Sequence, residues 1–107
     1  MDAYTHIFVG YRKSLFKKLP ADVRGRFDEE CEVELDGLIV ERYSWGEDEA
    51  GFGVQLFEHG FCDKPKKIDL ASLADKAAAL KLCVAATFKK FGFDKDPELL
   101  IVMDMPL

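Results

Sequence analysis

The chain contains only three cysteines, Cys31, Cys62 and Cys83, and no two of them are close enough in sequence to form a CxxC pair. An odd number at such wide spacing excludes a disulfide framework, and the expectation is reduced thiols packed as small buried hydrophobes. Long apolar runs are missing too. The longest, Ala77 to Phe88, is interrupted by Lys81 and falls well short of the roughly 20 residues needed to cross a bilayer. Met1-Asp2-Ala3-Tyr4-Thr5-His6 has no basic region leading into an apolar one, so the expectation is a cytoplasmic protein without a signal peptide or membrane segment. Basic residues are the minority, 15 against 20 acidic, and the resulting net charge of −5 repels nucleic acid on average.

Core-forming residues are plentiful. Of 107 residues, 49% are apolar and nine are Phe, too many for a disordered chain, while two domains of half this length would be too small to bury stable cores. One folded domain is expected over residues 1–107.

From Asp2 to Leu19, the residues Tyr4, Ile7, Phe8, Tyr11, Leu15 and Leu19 recur at helical spacing, with Lys13 and Lys17 opposite, and this predicts an amphipathic helix. Thr5, Ile7, Val9 and Gly10 are indifferent helix formers, which leaves open a strand from Tyr4 to Val9, although no period-2 alternation supports it. Pro20 to Phe27 reads as one short helical turn or an irregular connection. Cys31-Glu-Val-Glu-Leu35 alternates as a strand with one buried face, and Asp36-Gly37 then leads into Leu38-Ile-Val-Glu-Arg-Tyr-Ser-Trp45, the pattern of a type I′ hairpin. That register sets Leu35 opposite Leu38 and Val33 opposite Val40, but also Glu32 opposite Glu41, a repulsive pair that argues for a looser turn.

Gly46 to Gly51 has turn composition, and Phe52, Val54 and Leu56 alternate in a third strand that ends at Phe57. Asp69 is a good N-cap for the helix from Leu70 to Phe91, which Gly92 ends. Leu99-Leu-Ile-Val-Met103 is an apolar run expected to join the sheet as a buried strand. The fold class is therefore α+β, an antiparallel sheet of three to four strands in the order α-β-β-β-α-β with helices on one face. The order of elements looks like that of type III secretion chaperones, which are small, acidic, dimeric α+β proteins, a likeness of architecture that does not itself carry function.

Charge is unevenly spread. Residues 1–27 carry a net +4, residues 28–63 a net −11 and residues 64–107 a net +2. The acidic segment coincides with the expected meander, so Glu30, Glu32, Glu34, Glu41, Glu47, Asp48 and Glu49, flanked by the aromatic anchors Tyr43 and Trp45, are the candidate surface for a basic protein partner. The mirror-image alternative is nucleic-acid binding through Arg12, Lys13, Lys17 and Lys18 on the amino-terminal helix. A third alternative is a small enzyme whose site is not marked in the sequence.

No motif calls for a cofactor or metal. His59-Gly-Phe-Cys62 with Cys31 and Cys83 would make four zinc ligands only if the fold gathered them, and Glu47-Asp-Glu49 lacks the alternating spacing of a calcium loop. Lys81 falls in the apolar arc of its helix and is expected to snorkel. The Ala-rich side formed by Ala71, Ala78, Ala85 and Ala86 would admit another helix, in this chain or across a homodimer. The function expected is a non-enzymatic interaction module: an inhibitor, an immunity or anti-defence protein, or a secretion-chaperone-like adaptor.

Overall fold

Phe52 lies at the centre of a ring of aromatic side chains, with Tyr11, Phe16, Phe88 and Phe27 at centroid distances of 5.3, 5.7, 5.9 and 6.2 Å. These rings come from four different elements, which the core ties together. The structure is a computed structural model and describes residues 4–45, 48–60 and 63–104.

Five strands, β1 (Tyr4–Arg12), β2 (Glu32–Leu35), β3 (Leu38–Trp45), β4 (Asp48–Gly60) and β5 (Glu98–Asp104), form one antiparallel sheet in the order β2-β3-β4-β1-β5. Two helices, α1 (Ala21–Glu29) and α2 (Leu70–Lys90), pack on the same face, where Val23, Phe27, Val84 and Phe88 meet Val9, Tyr11, Val33, Leu35, Val40 and Phe52. The α+β class and the placement of helices on one face agree with the sequence. The strand count does not: the described residues form five.

The amino-terminal segment is the reason. Tyr4–Arg12 is a strand, followed by a 3₁₀ helix over Lys13–Lys18, where the spacing predicted one amphipathic helix. β1 lies between β4 and β5, and its residues Phe8, Val9 and Tyr11 are each only 1% exposed. A strand covered on both faces needs apolar residues on both, which erases the alternation that marks a half-buried strand. Its β-branched and aromatic residues follow strand propensity. The element order therefore begins with a strand, and the likeness to secretion chaperones, which rested on an initial helix, loses that support.

The hairpin follows its local chemistry. Asp36 and Gly37 have φ of 51° and 84°, the left-handed pair a type I′ turn requires, and Leu35 pairs with Leu38, Val33 with Val40 and Glu32 with Glu41. The tight register holds despite the acidic pair. Asp69 caps α2 by accepting from the amides of Ala71 and Ser72. At the other end Lys90 bonds Asp36 at 2.8 Å, tying the end of α2 to the hairpin turn.

Three smaller expectations are corrected. α1 is a nine-residue helix rather than a single turn, because Val23 and Phe27, one turn apart, are both buried in the core. β5 joins the sheet, but as an edge strand, so Leu99, Ile101 and Met103 stay 54%, 70% and 58% exposed instead of buried. Cys31 and Cys83 are exposed, because Cys31 precedes β2 and Cys83 lies off the stripe of α2 that carries Leu80, Val84 and Phe88. Lys81 is exposed at the border of the same stripe.

The sheet is strongly curled. In a flat sheet three spacings of about 4.8 Å would put β3 and β5 roughly 14 Å apart, yet their Cα atoms approach within 8 Å. Two features permit this. A bulge in β4 lies opposite Ile7 and Phe8, leaving Leu56 without a partner, and Gly10 faces Gly53 so closely that a Cβ on Gly10 would fall 2.5 Å from the Gly53 Cα.

Candidate functional site

Because strand residues alternate between faces, the register fixes which side chains share the face that the helices leave open. On that face lie Glu32 and Glu34 of β2, Glu41 and Tyr43 of β3, Gln55 and Glu58 of β4, His6, Phe8 and Arg12 of β1, and Glu98 and Leu100 of β5. Glu32, Glu34, Glu58 and Glu98 are exposed and Glu41 is half-buried. Arg12 is the cation of this set, and its guanidinium bonds Glu98 at 3.1 Å.

The positive charge is on the other side. Residues 64–90, which lead into and form α2, hold seven lysines against Asp69 and Asp75. The sheet and helix layers therefore carry opposite charge.

Inside the curl the acidic face has an aromatic floor. Phe8 and Tyr43 are 1% and 7% exposed although no helix covers them, because Phe8 packs against Gly51 and Gly53 and the Tyr43 ring lies 4.3 Å from it, tilted by 30°. Here glycine is required by the close approach: a Cβ on Gly53 would sit 2.9 Å from the Phe8 ring and 2.4 Å from the Val9 carbonyl oxygen. His6 extends the floor, 5.4 Å from Tyr43, and its Nδ1 is 2.7 Å from Gln55 Oε1, while Gln55 donates to Glu58 at 3.1 Å.

The Tyr43 hydroxyl is buried and has no hydrogen-bond partner among the described residues. Burial, then Glu41, first by its charge and next as an acceptor toward the protonated hydroxyl just outside good hydrogen-bond geometry, and last Glu58, push its ionisation far above that of a free tyrosine. The group is a neutral phenol flanked by negative charge. The carboxylates beside it favour a cation on this part of the face.

The residues expected to bind a partner divide as follows. Glu32, Glu34 and Glu41 share the open face, Tyr43 forms its floor, and Glu30 is exposed between α1 and β2. Trp45 pairs with Asp48 and Ser44 with Glu49 in the ladder, while Glu47 lies outside the described residues. Sequence reasoning missed Glu58, Gln55, His6 and Glu98. Glu58 lies past the expected strand end and changes face through the bulge, which no local signal announces. For Glu98 the signal was present, since Glu98, Leu100 and Val102 alternate with Leu99, Ile101 and Met103.

The basic group assigned to an amino-terminal helix is not on a helix face. Arg12 belongs to the acidic face, and Lys13, Lys17 and Lys18 lie on the 3₁₀ segment. No set of three metal-ligating side chains comes together among the described residues. His59 Nε2 is engaged with the Lys64 carbonyl at 3.0 Å, Cys31 and Cys83 are free thiols, and Cys62 lies outside the described residues. On the helix side a shallow cleft of about 180 Å³ lies between β4 and the start of α2, with Lys67, Asp69, Ser72 and Lys76 as its polar groups. Asp69 is already committed to capping. No helix among the described residues is long and apolar enough to cross a membrane.

Comparison with protein-family models, with curated proteins and with solved structures finds no match to this chain.

Proposed function

We propose that this protein is a non-enzymatic interaction module whose open, curled sheet face docks a basic protein partner. The observation that carries the reading is the shared face of Glu32, Glu34, Glu41, Glu58 and Glu98, set against a lysine-rich helix layer. Such a layout attracts and orients a basic surface, speeding encounter at low ionic strength.

A lysine or arginine of the partner would pair with the half-buried Glu41 beside the His6 ring, combining ion pairing with cation–π attraction. Inhibitors, immunity or anti-defence proteins and secretion-chaperone-like adaptors all act by docking of this kind, in the cytoplasm or elsewhere.

Affinity capture from native lysate tests the reading. A basic protein should be retained at low salt and released as salt rises, and the joint change Glu32→Lys, Glu34→Lys and Glu41→Lys should abolish its capture. Reversal of Lys76 and Lys81 on α2 should leave it intact. Capture that survives reversal of the open face, or that depends on the α2 lysines, would sink the idea.

A further inference from the structure

We propose that β5 is a homodimerisation edge, pairing antiparallel with β5 of a second copy about a two-fold axis at Ile101 to make one continuous ten-stranded sheet. The curl brings β3 within 8 Å of β5, but the outer edge of β5 pairs with no strand among the described residues, so a row of backbone donors and acceptors is left without a ladder. Strand edges that stay single are usually short, charged, bulged or broken by proline. The opposite edge follows that rule: β2 has four residues, two of them glutamates. β5 does not, with seven residues and five consecutive apolar ones.

The second copy is chosen by the sequence of the strand itself. Glu98-Leu-Leu-Ile-Val-Met-Asp104 has the same character read in either direction about Ile101. In an antiparallel pair centred there, Ile101 meets its own counterpart, Leu99 meets the partner's Met103 and Leu100 meets the partner's Val102. Leu99, Ile101 and Met103, now 54–70% exposed on the helix side, would line up with their equivalents across the seam. A two-fold axis closes the assembly at two copies, whereas pairing β5 with the acidic β2 edge would build an open filament.

In this register Glu98 falls opposite the partner's Asp104 at each end, an unfavourable pairing of like charges. Arg12 stands there, already bonding Glu98 at 3.1 Å with its side chain 66% exposed, and so supplies a counter-charge at both ends of the seam. The seam is built on a strand edge, with Leu99, Ile101 and Met103 on the helix side and Glu98, Leu100 and Val102 on the open face. It does not depend on the open face binding a partner.

Sedimentation equilibrium or light scattering of the purified chain decides the matter, with circular dichroism to verify folding. The wild type should have twice the mass of one chain, and Ile101→Arg, at a site 70% exposed, should stay folded and fall to the mass of one chain. A parallel variant leaves the strand's shape intact: Ile101→Cys with Cys31, Cys62 and Cys83 changed to Ser. In the proposed register its two thiols come from directly opposed positions, whose Cβ atoms are about 4.5–5.5 Å apart, and mild oxidation should give a covalent dimer. A wild type that keeps the mass of one chain at its highest soluble concentration overturns the proposal. So does a heavier species that a folded Ile101→Arg chain retains, or failure of the Ile101→Cys chain to cross-link.

Discussion

The rings of Phe8 and Tyr43 lie 4.3 Å apart, tilted by 30°, on the face of the sheet that carries no helix. Their burial there is a product of curvature. The bulge in β4 and the Gly10–Gly53 approach bend the sheet until the concave side covers its own aromatic floor, and Tyr43 is left with a buried hydroxyl that bonds nothing among the described residues.

That hydroxyl should be a liability to the fold. Burying a polar group without a partner costs about 1–3 kcal/mol, so Tyr43→Phe is expected to match or exceed the wild type in denaturant midpoint. Tyr43→Ala, which removes the ring packed on Phe8, should lose about 3 kcal/mol. Urea titration of the three proteins separates the two contributions. A Tyr43→Phe chain that is clearly less stable would mean that the hydroxyl has a partner after all.

Alkaline pH should weaken the fold through two tyrosines. Burial, and behind it Asp96 and Asp94, push Tyr11 up from 10.0 to about 12, and Tyr43 is raised as well. A raised folded pKa means that stability is intact below the unfolded value near 10, where both states hold the proton. As pH climbs from 10 through about 12, the unfolded state ionises first and stability is lost. The chain should therefore lose stability progressively across that window, and Tyr11→Phe should fall less steeply. Tyr11→Phe also starts lower at neutral pH, by about 1 kcal/mol, because the Lys95 carbonyl loses the hydroxyl that bonds it at 2.9 Å.

Glycine positions give opposite outcomes in one experiment. A Cβ on Gly53 would lie 2.4 Å from the Val9 carbonyl oxygen and 2.7 Å from the Gly10 Cα, so Gly53→Ala must push β1 and β4 apart. Overpacking of this severity costs at least about 2 kcal/mol. Gly25, inside α1, has open space where a Cβ would stand, with no atom within 4 Å, and Gly25→Ala should gain about 0.5–1 kcal/mol from helix propensity. Thermal melts of both variants should move in opposite directions from the wild type.

These contrasts show what could be read in advance. The Asp36-Gly37 hairpin, with its Leu35–Leu38 and Val33–Val40 pairs, and the α2 helix from its Asp69 cap were legible because each is fixed by chemistry within a few residues. β1 was not, since its two-sided burial depends on β4 and β5 arriving from roughly 40 to 100 residues away, and the spacing of Tyr4, Ile7, Phe8 and Tyr11 is helical. The acidic residues of β2 and β3 could be placed on one face from alternation alone. That Glu58 and His6 join them could not, because the bulge that turns Glu58 to that face is a property of the paired strands.

The last consequence concerns Glu32 and Glu41, directly opposed in the ladder on the open face. Like charges at such a position destabilise by a few tenths of a kcal/mol up to about 1, and nothing in the hairpin's packing requires them, since Val33, Val40, Leu35 and Leu38 set the register. If the acidic face exists to bind, this is a site where stability is given up for function. Glu32→Lys should then raise the denaturant midpoint, by turning a repulsive pair into an attractive one, and weaken capture of the basic partner in the same protein. Salt should shrink both effects together, because Glu32 is exposed and Glu41 half-buried. A Glu32→Lys chain that is more stable and captures the partner equally well would remove Glu32 from the interface while leaving the repulsion argument standing.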